Sequence, residues 1–141
     1  MEKLTVAAML HDVGKIGVSD NILNKPGKLT NEEFDKIKEH PEIGYNILKE
    51  VKNLQYVGPV VKHHHERYDG KGYPEGKKEE EIGLDTYIVQ LADAVDAMET
   101  DRPYRKGLSK EEVISELENN SGTQFHPEVA EVYLNILRSR A

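Results

Sequence analysis

Apolar residues recur along the chain at helical spacing, and no stretch alternates long enough to predict a strand. Leu4, Ala7 and Ala8 start an i, i+3, i+4 stripe that continues to His11 and Asp12. It predicts a helix over 4–13, apolar on nearly all sides and buried. Gly14, Gly17 and Pro26-Gly27 then mark a long loop. Thr30-Asn31-Glu32-Glu33 has the form of a capping box, with Leu29 and Phe34 placed as its hydrophobic staple, so a helix starts at Thr30. Pro41 interrupts that helix just after His40, and the pattern restarts through Ile43, Ile47 and Leu48. A further helix is predicted over 54–65, followed by a Gly-, Pro- and charge-rich loop over 68–85. A strongly apolar helix follows over 86–99. Ser109-Lys110-Glu111-Glu112 is a second capping box, with Leu108 and Val113 as its staple. The last helix opens at Pro127, a favoured first-turn proline, with His126 as its N-cap. The fold class is therefore all-α, and a chain of 141 residues suits one domain with a real core.

Composition narrows the function. The chain carries 19 basic and 26 acidic residues, a net charge of −7, which argues against a partner as uniformly anionic as duplex nucleic acid. A local basic pocket for a small phosphate ligand stays open. With no cysteine, disulfides and thiolate metal sites are excluded. No apolar run approaches a membrane span. The apolar start, 4–10, runs straight into His11-Asp12 without a cleavage-like region, so it reads as a helix and not a signal peptide. The expected location is cytoplasmic.

The same stripes say where polar residues point. Val57, Val60 and Val61 lead to His64 and His65, whereas His63 falls off the stripe beside Lys62 and is expected to be an exposed bystander. His40 follows Ile37 by three residues, and Asp93 sits between Ala92 and Ala94, four residues after Val89. A lone buried carboxylate is costly unless it is paired or bound to metal. Any one of these histidines alone reads as a satisfied core residue; several of them drawn inward together with two aspartates do not. A mixed imidazole–carboxylate set without sulfur suits a catalytic Fe, Mn or Zn centre. An adjacent His-Asp pair offers one nitrogen and one carboxylate able to bridge two ions, and paired ions about 3.5–4 Å apart can activate a shared nucleophile for in-line attack on phosphorus.

The motif HDVGKIG, 11–17, followed by HHERYDGKGYP, 64–74, closely resembles the HD-GYP domain, a subgroup of the HD phosphohydrolases. The likeness runs from Leu10 to the last helix. It implies an HD-type helical bundle with a long Gly/Pro-containing loop after the HHE helix. The implied activity is metal-dependent hydrolysis of cyclic di-GMP in bacterial second-messenger signalling. Two or more divalent ions, iron or manganese, are implied as cofactors. By position, His11, Asp12, His40, His64, His65 and Asp93 match the metal ligands, with Asp12 bridging. One ion would take Asp12, His40, His64 and His65; the other would keep His11, Asp12 and Asp93. Lys15 and Asp12 match catalytic positions, with Lys15 near the reacting phosphate. Asp69, Gly72, Tyr73 and Pro74 match the substrate-side turn, and Arg102 and Arg105 match basic ligand-facing residues.

Relatives carry further helices before the HD pair, including a histidine that completes one metal site, so the chain is expected to be an N-terminally incomplete domain of a longer protein with a sensor or regulatory domain upstream. A homodimer is a further expectation. FHP at 125–127 departs from the FDP common in relatives, and His126 is given a local role. Glu66 is expected to orient a ligand histidine, and Tyr104 is a candidate to pack on a guanine. The rival readings are a non-catalytic module that binds cyclic di-GMP or a protein partner, and a phosphohydrolase for another nucleotide.

Overall fold

The structure, a computed structural model, describes residues 1–102 and 105–140. Pro103 and Tyr104, and with them the expectation of a guanine contact at Tyr104, lie outside the described residues. Among the described residues there are eight α-helices and no strand: α1 (Glu2–Leu10), α2 (Asp20–Leu23), α3 (Asn31–Ile37), α4 (His40–Leu48), α5 (Gly58–His63), α6 (Leu84–Glu99), α7 (Lys110–Asn120) and α8 (Pro127–Ser139). None is long and apolar enough to cross a membrane.

The sequence signals for helix starts hold. Thr30 and Ser109 close reciprocal capping boxes with Glu33 and Glu112, and Leu108 and Val113 share one core. His126 Nδ1 accepts the Glu128 N–H at 3.2 Å, as an N-cap should. α6 is the spine. Its Val89 packs with Ala7, Leu48, Val57, Val60 and Val61 on one side. Its Leu91 and Val95 pack with Val113, Leu117, Phe125 and the inner face of α8 on the other. Asp93 is carried between these two cores.

Three expectations need correction. The first helix is not buried all round: only Ala7 is fully buried, and Met9 is 78% exposed. It also stops at Leu10, because the chain tightens into a 3₁₀ turn over Val13–Gly17. Gly14 forces this turn. A Cβ there would lie 1.8 Å from the His40 carbonyl oxygen and 2.6 Å from the Gly44 nitrogen, so only glycine lets the turn abut α4. The helix expected over 54–65 is shorter, a 3₁₀ turn at Gln55–Val57 leading into α5, which ends at His63. The loop expected over 68–85 contains a 3₁₀ turn at Glu79–Glu81, and α6 begins at Leu84, two residues before the expected start.

Candidate metal centre

Six side chains meet from four places: His11 and Asp12 just past α1, His40 at the start of α4, His64 and His65 just past α5, and Asp93 inside α6. Ending α1 and α5 immediately before these pairs frees their side chains to turn inward together. His40 and His64 are fully buried; the others are half-buried.

Three of the histidines are oriented by one local device. Their Nδ1 atoms lie 2.5 Å, 2.6 Å and 2.7 Å from the carbonyl oxygens of Ala8, Ile37 and Val61, each three residues earlier. A carbonyl only accepts, so each Nδ1 carries the proton and a neutral ring presents a bare Nε2 lone pair. Those lone pairs converge. His40 Nε2 and His64 Nε2 are 3.3 Å apart. Asp12 Oδ1 lies 3.2 Å from the first and 3.6 Å from the second, and is buried with no hydrogen-bond partner of acceptable geometry. Acceptors facing acceptors in a buried place repel unless a cation sits among them. Ligand atoms of Asp12, His40, His64 and His65 all lie within 4.8 Å of one another, as do those of His11, His64 and Asp93. The donor set therefore fits a divalent metal ion.

Asp12 divides its two oxygens. Oδ1 faces His40 and His64, while Oδ2 lies 3.3 Å from His11 Nε2 and 3.1 Å from Lys15 Nζ. A carboxylate so placed could bridge two ions. His11 Nε2 is also 3.2 Å from Asp93 Oδ1. The second group thus keeps the expected His11 and Asp93 beside Asp12 and adds His64 as a close neighbour.

Without metal, protons do the cation's work. Burial disfavours a charged His11, but hydrogen bonds to Asp12 and Asp93 outweigh it and raise its pKa to about 10. Burial alone would raise the Asp12 carboxyl; hydrogen bonds to His11, His40 and His64, with the charge of His11, hold it well below the usual carboxylate range. Asp93 is likewise lowered against its burial, by His11. Burial lowers His64, and burial together with the neighbouring imidazoles lowers His65 to about 3. Those two rings stay neutral and ready to ligate.

The loop after α5 is tied down next to this cluster. Tyr73 stacks on His65, ring centroids 4.9 Å apart and 16° from parallel. Burial, then the Asp93 and Asp12 charges, push its phenol to about 12. Gly72 allows the approach, since a Cβ there would sit 2.4 Å from the His65 carbonyl oxygen. Glu66 corrects an expectation. It does not orient a histidine; fully buried, it accepts the backbone N–H groups of Glu75 at 2.7 Å and Lys77 at 3.0 Å, pinning the loop's far side. His63 is also not a bystander: its side chain is only 14% exposed and its Nε2 lies 3.0 Å from Glu75. Asp69 binds Arg67 through both oxygens and accepts the Lys71 N–H, so it shapes the turn.

Beside the cluster is a cleft of about 430 Å³, walled by His64, His65 and Asp93 on one side and by Phe34, Lys38, Arg67, Lys71, Tyr73 and Gln90 around it. Lys15 stands on the Asp12 side of the cluster. Phe34, Lys38 and Gln90 join the cleft only in the folded chain. Gln90 carried a readable signal, lying three residues before Asp93 on the same helix face; its Nε2 donates to the Glu66 and Gln124 carbonyls at 2.8 Å each. Arg102 lines a neighbouring groove that shares Phe34 with the cleft. The Arg105 guanidinium donates to the Ala97 carbonyl at 2.8 Å and the Lys106 carbonyl at 3.1 Å, closing the C-terminal end of α6.

Fold and site together define an all-helical domain with a histidine–aspartate cluster that could hold a divalent metal ion. A family model described as HD domain matches residues 1–129, and the chain belongs to that family, in its HD-GYP branch. A cyclic di-GMP phosphodiesterase of Thermotoga maritima is 46% identical over 136 residues, covering 95% of this chain and 37% of the relative. The cyclic di-GMP phosphodiesterase response regulator of Xanthomonas campestris is 41% identical over 140 residues, covering 98% and 36%. A 3'3'-cGAMP-specific phosphodiesterase of Vibrio cholerae is 39% identical over 122 residues, covering 86% and 26%. The crystal structure of a cyclic GMP-AMP-specific phosphodiesterase from the same organism superposes with a TM-score of 0.70 at 19% identity, covering 97% of this chain and 38% of that one, which establishes the shared fold. The chain thus spans 37% and 36% of the length of the first two relatives.

Proposed function

We propose that this domain is the catalytic part of a phosphodiesterase that hydrolyses cyclic di-GMP, using two divalent ions, iron or manganese. The observation that carries the reading is the Asp12 carboxylate, with one oxygen turned to His40 and His64 and the other to His11. Two ions bound there would supply Lewis-acid polarisation of a phosphoryl group and lower the pKa of water. Asp12, His40, His64 and His65 would hold one ion; His11, Asp12 and Asp93, with His64 close by, would hold the other.

The chain's own residues set up the rest. Lys15 keeps a positive charge beside Asp12, where it can offset charge that builds on the phosphate. Tyr73 fixes the His65 ring and forms a wall of the cleft. Glu66 and Gln90 hold the loop that shapes this wall. The relatives named for cyclic di-GMP and for 3'3'-cGAMP support a cyclic dinucleotide as substrate, and two of the former, at 46% and 41% identity, are more similar to this chain than the latter's 39%.

The test is turnover by purified protein loaded with Fe(II) or Mn(II) under anaerobic conditions, with cyclic di-GMP and 3'3'-cGAMP offered side by side. Faster cleavage of cyclic di-GMP is expected. Metal bound without cleavage of either would overturn the catalytic reading and leave a binding module; faster cleavage of 3'3'-cGAMP would change the substrate.

A further inference from the structure

Lys38 is the half-buried cation of the cleft that no acid accounts for among the described residues. Its side chain is half-buried between two aromatic rings, with Nζ 4.9 Å from the centroid of Phe34 and 5.5 Å from that of Tyr73. Among the described residues, no carboxylate lies within 4.0 Å of it, although the chain has 26 acidic residues to 19 basic ones. Cation–π contact offsets part of the cost of drawing an ammonium out of water, but it supplies no counter-charge. The other cations of the cleft are placed differently. Arg67 is held by both oxygens of Asp69, and Lys71 is exposed. Lys15 is bound to Asp12 at the metal ligands.

The position of Lys38 relative to the cluster is what gives it a role. Tyr73 touches both: its ring stacks on His65 and lies under the Lys38 ammonium. A cyclic dinucleotide has two phosphodiesters on opposite sides of one macrocycle. With one at the metal ligands, the other must lie further along the cleft and needs a positive charge there. Resting on the proposed function, we infer that Lys38 binds the phosphodiester that is not being cleaved, and that Phe34 and Tyr73 hold the ammonium in place for it. The aromatic pair fixes a flexible side chain before the ligand arrives, which reduces the entropy lost on binding.

Steady-state kinetics of the metal-loaded wild type, Lys38→Met and Lys38→Arg test this, with cyclic di-GMP and with bis(4-nitrophenyl) phosphate, which has a single phosphodiester. A charge-assisted hydrogen bond is worth enough that Lys38→Met should raise KM for cyclic di-GMP about tenfold or more. That loss should exceed the loss on bis(4-nitrophenyl) phosphate by a similar factor, and Lys38→Arg should regain most of it. An unchanged KM in Lys38→Met, in a wild type that does cleave cyclic di-GMP, overturns the inference alone. So does an equal loss on both esters, which would mean general damage to the centre. A wild type that cleaves bis(4-nitrophenyl) phosphate but neither binds nor cleaves cyclic di-GMP removes the proposed substrate, and the inference with it.

Discussion

Tyr73 lies flat on His65, and this one stack couples the glycine-rich loop to the histidine–aspartate cluster. The contact is made by ring faces and does not depend on the hydroxyl. Tyr73→Phe is therefore expected to keep metal affinity close to wild type. Tyr73→Ala leaves the His65 ring without its support and should weaken metal binding about tenfold or more, the usual scale for losing an outer partner of a ligand. Competition against a chelator of known affinity measures both; equal affinity in all three proteins would remove Tyr73 from the account.

Gly14 is expected to tolerate no side chain. The contact a methyl would make is with the His40 backbone, which cannot swing away as a side chain can. Gly14→Ala should cost about 3 kcal/mol or more, or displace His40 and abolish metal binding in a protein that still folds. Chemical denaturation with and without metal separates the two routes, and wild-type values in both would show that the turn is not constrained as described.

Glu66→Gln replaces a carboxylate that receives two N–H groups with an amide that can accept only one of them well. The buried mismatch should cost about 1–3 kcal/mol. It should also speed amide exchange at Glu75 and Lys77, the two donors. Exchange rates resolved by residue check this directly. Unchanged protection at those two amides would show that Glu66 does not pin the loop.

Much of the fold and of the centre was legible because it depends on short-range patterns. The capping boxes at Thr30 and Ser109 and the stripes leading to His11, Asp12, His64 and His65 involve residues within one or two turns of each other, and helix geometry translates them directly. The motif likeness pointed to the same six side chains, which the fold brings together. What the sequence hid depends on chain returning from a distance. Glu66 was misread because its partners are the backbone groups of Glu75 and Lys77, which carry no side-chain signature. His63 falls off the valine stripe, yet the same returning loop brings Glu75 to it. Lys38 looks like any surface lysine until Tyr73 arrives beside it. The first helix is less buried than its apolar run implies, because such a run does not reveal which side will find a neighbour.

The pKa pattern predicts how metal-free protein responds to pH. His11 in the folded state is raised to about 10 from its ordinary 6.5. A raised folded-state pKa contributes stability fully below the unfolded value, and that contribution is lost as pH rises through the folded one. Metal-free protein should therefore lose stability between about pH 6.5 and about pH 10, as read by melting temperature. Metal must displace the His11 proton to reach Nε2, so loading near pH 8 should release about one proton from this residue, while His65, lowered to about 3, has none to lose. Calorimetry in buffers of different ionisation enthalpy counts the protons. A release of none would contradict the protonated His11.

The central claim is that these six side chains form a two-ion centre. Equilibrium dialysis of the purified protein against Mn(II), with bound ions counted by elemental analysis, addresses it most directly. The account predicts two ions per chain, one for each ligand group, and fewer in Asp12→Asn and His64→Ala, which touch both groups. A wild-type chain that binds one ion or none at saturating Mn(II) would contradict it.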